Sequence, residues 1–110
     1  MRVWHKRLIP KLCRQHLLAA WREGLGIYSI LENDKKGYRN HPAVREFEEA
    51  RFVLWERLKD VMDEMIRRGY NPKGMPPLPD VKNFWFLEKP WQTLGKQKAV
   101  LKAKKCPCKV

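Results

Sequence analysis

A chain of 110 residues with 44% hydrophobic and 11% aromatic content can bury one core, which excludes both a disordered tail and a pair of ordinary domains. Its 24 Lys and Arg against 12 Asp and Glu leave a net charge of +12, an excess that points to a polyanion: DNA, RNA or an anionic membrane surface. No apolar run approaches the roughly 18 residues that span a bilayer, and the start MRVWHKRLIP lacks the apolar stretch of a secretory signal.

Residues 1–13 read as a basic arm carrying Trp4, Leu8, Ile9 and Leu12 and interrupted by Pro10. The spacing of Leu17, Leu18, Trp21, Leu25, Tyr28 and Leu31 predicts a first helix over 14–32, although Gly24 and Gly26 weigh against it. A polar loop, NDKKGYRN, follows. A second helix is expected from Pro42, capped by Asn40 or His41 and ended by Gly69. Val44, Phe47, Leu54, Leu58, Val61 and Met65 recur along it at helical spacing, with Trp55, Met62 and Ile66 widening the stripe. Residues 71–90 are proline-rich and read as an extended loop with buried aromatics. A short basic helix is expected over 91–104, then a loose tail, 105–110. No strand-like alternation is present, so the expectation is an all-α single domain, 1–110, of about three helices with an N-terminal arm and a long proline-rich loop.

The charges are segregated. Arg2, Lys6, Arg7, Lys11, Arg14 and Arg22 precede the first acid, Glu23, and a lysine series follows the last acid, Glu88. His16 and Glu23 stand seven positions apart, about 20° short of two helical turns, and so share a face with Ala19 and Gly26, beside Gln15 and Arg22. Small residues on that face admit close approach to the backbone; the plainer reading is an ordinary solvated pair.

The cysteines Cys13, Cys106 and Cys108 are odd in number and poorly spaced for disulfides, which suits a reducing cytoplasm. Cys106-Pro-Cys108, with Cys13 or His5 as further ligands, is a weak zinc signal, and an exposed-thiol tail with no metal or cofactor is the preferred reading. Trp4, Trp21 and Trp55 are assigned to the core. For Phe84, Trp85, Phe86 and Trp91, packing over the helices is preferred to wedging into a duplex. His41 is assigned a capping or loop role, and Glu48 and Glu49 a solvated face.

The stretch MRVWHKRLIPKLCRQHLLAAWRE, with RNHPAVREF and DEMIRRGYNP, resembles the pyrimidine-dimer DNA glycosylase family over about the first seventy residues. Gln15-His16 and Arg22-Glu23 stand at the family's distance from the N-terminus. The resemblance implies a compact all-α fold whose N-terminal segment reaches the active site. It implies cleavage of the glycosyl bond at a cyclobutane pyrimidine dimer, then β-elimination at the abasic site. The family's nucleophile is the α-amine of the chain, which is partly neutral at working pH because its pKa is about 8. By position, Glu23 matches the catalytic carboxylate, and His16 and Arg22 match residues that hold DNA.

Three features depart from the phage-type pattern. Arg2 stands where a small threonine would permit removal of Met, so Met1 is expected to supply the amine. Gly26 replaces a DNA-contacting arginine, and a lysine-rich helix replaces an aromatic C-terminal segment. The resulting expectation is a monomeric repair glycosylase and abasic-site lyase acting on damaged double-stranded DNA, with Met1 and Glu23 catalytic. Arg2, Gln15, His16, Arg22, Lys98 and Lys102 are its expected DNA contacts. The rival expectation, favoured by Arg2 and Gly26, is a DNA- or RNA-binding protein that kept the fold without the chemistry; a lyase confined to abasic sites is a third.

Overall fold

The helix expected over 14–32 forms over that span: α1 runs Arg14–Glu32 in a computed structural model that describes residues 3–33, 36–37, 39–48, 50–79, 93–104 and 108. A short 3-10 turn, Ile9–Lys11, precedes it, and α2 (Pro42–Glu46), α3 (Arg51–Arg67) and α4 (Leu94–Ala103) follow, with no strand among the described residues. The fold is therefore all-α. α1 packs along α3, while α2 leans on α1 and the 3-10 turn on α3.

Gly24 lets α1 and α3 lie this close. A Cβ placed on it would stand 2.6 Å from Leu58 Cδ2 and 3.5 Å from Leu58 Cγ, and Leu58, 1% exposed, is held by its neighbours. The residue that weakens α1 as an isolated helix is thus the one that seats it. Glycine costs about 1 kcal/mol relative to alanine inside a helix, and close burial of α3 offsets that cost. At Gly26 nothing lies within 4 Å of the point a Cβ would occupy, so no such packing argument applies there.

The buried face of α1 is Leu17, Ala20, Gly24, Ile27, Tyr28, Ile30 and Leu31. This corrects the apolar stripe read from the sequence: the buried arc is rotated by roughly 80°, and Leu18, Trp21 and Leu25 are only half-buried. Alanine and glycine carry little hydrophobic signal, yet Ala20 and Gly24 are buried because small residues allow the closest approach; Ile27 and Ile30, which do carry that signal, are buried on the same arc outside the stripe. Two clusters fill the core. One joins the second half of α1 to α2 and the first half of α3 around Phe47, Leu54 and Leu58. The other gathers Trp4, Leu8, Ile9 and Leu12 of the arm onto Leu17, Ala20, Val61, Met65 and Leu101.

The single second helix expected from Pro42 to Gly69 is a second correction: it is two helices, α2 and α3, separated at residues 47–50. His41 caps α2, its Nδ1 accepting from the Ala43 N–H at 3.1 Å, and Pro42 occupies the first turn. Phe47 and Ala50 close short turns onto Val44 and Phe47 respectively, and Ala50 leaves helical geometry at φ −132°, ψ 44°. The apolar stripe runs through the break unchanged, which is why periodicity could not reveal it. Ile66 lies off the stripe, 54% exposed. Gly69, at φ +89°, terminates α3 in the left-handed conformation that glycine adopts freely. Glu48 is exposed and paired with Arg39 at 2.8 Å; Glu49 lies outside the described residues.

Residues 71–79 are irregular and held by two bonds. The Tyr28 hydroxyl donates to the Pro77 carbonyl at 2.5 Å and Trp55 Nε1 to the Pro76 carbonyl at 3.0 Å. Phe84, Trp85, Phe86 and Trp91 lie outside the described residues. Trp4 is buried, and Trp21 and Trp55 are half-buried, as core residues rather than exposed platforms.

At the end of α3, the Glu64 carboxylate, 7% exposed, accepts from Arg67 Nε at 2.9 Å and Arg68 Nε at 2.8 Å. Arg68 also donates to the Pro10 carbonyl at 3.1 Å, fastening the 3-10 turn to α3. Bonds from Arg67, then Arg68, hold the Glu64 carboxyl below its ordinary range against the opposing effect of burial. A lowered folded-state value stabilises the protein above the ordinary value of 4.5, and that contribution is lost as pH falls through the lowered value.

Two experiments check these interactions. Gly26→Ala is expected to stabilise the protein by about 0.5–1 kcal/mol, and Gly24→Ala to destabilise it by about 1 kcal/mol because overpacking exceeds the propensity gain; urea unfolding reads both. Glu64→Gln is expected to cost about 1–2 kcal/mol at pH 7, with the gap to the parent protein narrowing as thermal unfolding is repeated below pH 4.5.

Candidate active site and nucleic-acid interface

The solvent side of α1 carries a shallow groove of about 640 Å³ lined by Gln15, His16, Leu18, Ala19, Trp21 and Arg22. Four of these six share the arc expected from helical spacing, and the groove exists because Ala19 is small. Gln15 and Arg22 are exposed, whereas His16, Ala19, Glu23 and Gly26 are half-buried. Rotation of the buried arc of α1 explains the half-burial, since it places His16 and Glu23 on the flank next to Ala20 and Ile27. A depression of about 430 Å³ between the arm and α3 is lined by Lys6, Arg7, Asp60, Asp63, Glu64 and Arg67 among others. Its three acids balance its three bases, so phosphate has no reason to prefer it.

His16 sits at the centre of the site's electrostatics. Burial, then the nearby Lys104 ammonium, lower its pKa, and the Glu23 carboxylate partly opposes them. The Glu23 charge is therefore felt at His16, as their shared helix face requires. The Trp4 ring meets the His16 ring edge-on, centroids 6.2 Å apart.

The N-terminal arm crosses the seam between α1 and α3. Val3 and Trp4 line a nearly filled cleft with Ala20, Gly24, Leu54, Arg57, Leu58 and Val61, so the arm lies against the helix turn that carries Glu23. Two contacts pin it there. Arg57, reaching up from α3, donates to the Trp4 carbonyl at 2.8 Å, and the His5 N–H donates to Gln97 Oε1 of α4 at 2.6 Å. Gln97 is only 5% exposed, a buried amide placed to hold the arm. His5 is thereby committed to the arm, with its Nδ1 accepting from the Arg7 N–H at 3.1 Å. It takes no part in the group formed by the cysteines. Burial, followed by Arg57, lowers its pKa.

Met1 and Arg2 lie outside the described residues. Lys98 and Lys102 share a face of α4, one step round from the buried Gln97 and Leu101. Lys98 is half-buried and Lys102 exposed. The lysine whose charge reaches His16 is instead Lys104, which nothing in the local sequence distinguishes from its neighbours. Arg57 and Gln97 escaped the sequence criteria too; both act across more than fifty residues of sequence, and no local pattern announces them.

The reading of residues 105–110 as a loose tail of exposed thiols is corrected at Cys108. That residue is half-buried and packs on the arm cluster, where its Sγ accepts from the Cys13 N–H at 3.1 Å. Cys106 lies outside the described residues.

The pyrimidine dimer DNA glycosylase family model matches residues 1–75. This chain belongs to that family. No curated protein and no solved structure matches it. Membership makes it a DNA repair glycosylase with DNA as its substrate, and no helix among the described residues is long and apolar enough to cross a membrane. The matched span ends beyond α3, so it covers the arm, the groove on α1 and the α1–α3 frame, and leaves out α4.

Proposed function

We propose that this glycosylase excises cyclobutane pyrimidine dimers from duplex DNA and then cleaves the abasic strand, acting as a monomer with the Met1 amine as nucleophile. The observation that carries this reading is the course of the arm: Val3 and Trp4 lie along α1 at Ala20 and Gly24, beside Glu23. Two residues span at most about 7 Å, so an amine at the head of the chain is tethered to the neighbourhood of that carboxylate.

In this reading the amine lone pair attacks the sugar C1′ while the glycosyl bond breaks, its electrons leaving with the base. Glu23 stabilises the cationic sugar electrostatically and moves protons as the ring opens to an imine. Loss of a C2′ proton then expels the 3′ phosphate, and water hydrolyses the imine to regenerate the amine. No cofactor enters these steps. Arg22 and Gln15 grip backbone phosphates at the groove, His16 donates to one, and Arg2, Lys98 and Lys102 add sequence-independent contacts. A dimer stacks and pairs poorly, so nucleotide flipping costs less there than in intact duplex.

A second reading, non-catalytic binding of nucleic acid, is favoured by Arg2, which blocks ordinary Met removal, and by Gly26. Borohydride trapping on abasic duplex decides between them, because reduction makes an enzyme–sugar imine permanent. A crosslink on the Met1 amine, slowed at least about 100-fold in Glu23→Gln, is the expected result. Absence of any crosslink from folded protein that still binds duplex selects the binding reading. A crosslink on abasic DNA with no base release from dimer-containing duplex selects a lyase confined to abasic sites. Separately, Arg22→Ala is expected to weaken duplex binding several-fold and to reduce the salt slope by about 0.9, measured by fluorescence anisotropy over a salt series.

A further inference from the structure

Cys13, His16 and Cys108 meet from opposite ends of the chain. Their two Sγ atoms and a ring nitrogen lie within 4.8 Å of one another, and His16 Nδ1 is 3.2 Å from each sulfur. Cys13 is buried and the other two half-buried. The local frame is rigid: Cys13 is the N-cap of α1 and His16 lies in its first turn, so their separation is set by one helical turn. Cys108 is held on that turn by the Cys13 N–H, 3.1 Å from its sulfur.

Two sulfurs and an imidazole form the donor set that selects zinc among the common divalent ions, since thiolate is soft and imidazole suits the same metal. Bond lengths of about 2.3 Å to sulfur and 2.1 Å to nitrogen place tetrahedral ligands about 3.5–3.8 Å apart. His16 Nδ1 stands 3.2 Å from each sulfur, so these two separations need to open by only a few tenths of an ångström to admit the ion.

We propose that Cys13, His16 and Cys108 form a binding site for a divalent cation of the zinc class, which staples the C-terminal tail to the start of α1. On binding, each thiol gives its proton to solvent as a sulfur–metal bond forms, and His16 binds through the neutral Nδ1. Two thiolates balance the charge of the ion, so it enters a basic region without adding to the positive charge there. A fourth position is left for water. The Cys13 N–H remains a donor to the Cys108 thiolate, the kind of outer bond that orients a ligand sulfur.

The site also reaches the DNA groove. With Nδ1 on the metal, the ring proton stays on Nε2, and the tautomer that can donate to a phosphate is the one selected. The ion is structural and takes no part in bond cleavage, so its presence is tested without any glycosylase assay.

The full chain, stripped of metal by a chelator under reducing conditions, is titrated with Co²⁺ and then Zn²⁺. One equivalent of Co²⁺ is expected to bind with the intense near-ultraviolet absorption of thiolate-to-cobalt charge transfer, which Zn²⁺ then displaces. Excess Zn²⁺ is expected to raise Tm by at least about 5 °C. Cys108→Ser and Cys13→Ser are each expected to remove the charge-transfer intensity in part and weaken Zn²⁺ binding at least about tenfold. Should Cys13→Ser fail to fold, Cys108→Ser carries the decision, because Cys108 lies beyond the last helix and its loss leaves the helical frame in place. Folded parent protein that binds no equivalent of either ion, or Cys108→Ser that binds Zn²⁺ as tightly as the parent, overturns the proposal.

Discussion

The contact between the bare backbone of Gly24 and the Leu58 side chain is the constraint from which the rest of the molecule follows. A helix pair held this close leaves a narrow seam, over which an extended segment of chain can lie. Val3 and Trp4 take that place. Arg57 beneath the seam supplies the hydrogen bond that fixes the Trp4 carbonyl, at the cost of burying much of a guanidinium whose pKa is lowered mainly by that burial. The small residues of α1 therefore serve on both sides: Ala20 and Gly24 admit the arm and α3, while Ala19 opens the groove toward solvent.

Electrostatics and packing converge on the same turn of α1. The basic N-terminal arm and the basic C-terminal helix are the two ends of the sequence, yet the His5–Gln97 bond and the Trp4–Leu101 cluster bring them together. Asp60, Asp63 and Glu64 of α3 share one depression with Lys6, Arg7 and Arg67, so the charges there balance. Arg22 lines the groove with His16, and the charges of Lys104 and Glu23 both reach that ring.

The three stretches that resemble the family divide their labour. RQHLLAAWRE forms the groove and carries Glu23. RNHPAVREF supplies a cap and a helix start through His41 and Pro42, and its Arg39 pairs with Glu48 just beyond it. DEMIRRGYNP ends α3 through Gly69 and binds the 3-10 turn through Glu64, Arg67 and Arg68. The last two hold the frame on which the arm is laid. Cys13 and His16 belong to the matched region, whereas Cys108 lies beyond it.

Local sequence alone determined the extent of α1, because helical apolar spacing and a following polar loop agree without help from elsewhere, although not which arc of it is buried. It narrowed the cap to Asn40 or His41, and it determined the stop at Gly69 and the shared face of Gln15, His16, Ala19, Arg22 and Glu23, all of which are short-range consequences of backbone geometry. Tertiary structure alone decided the rest. The break at residues 47–50 leaves the apolar period intact, so only the packing of α2 on α1 reveals it. The inward turn of Ala20 and Gly24 defeats hydrophobicity because the closest contacts are made by the residues with least side chain. The meeting of Cys13, His16 and Cys108 spans more than ninety positions, and nothing short of the folded chain brings such distant residues to one place.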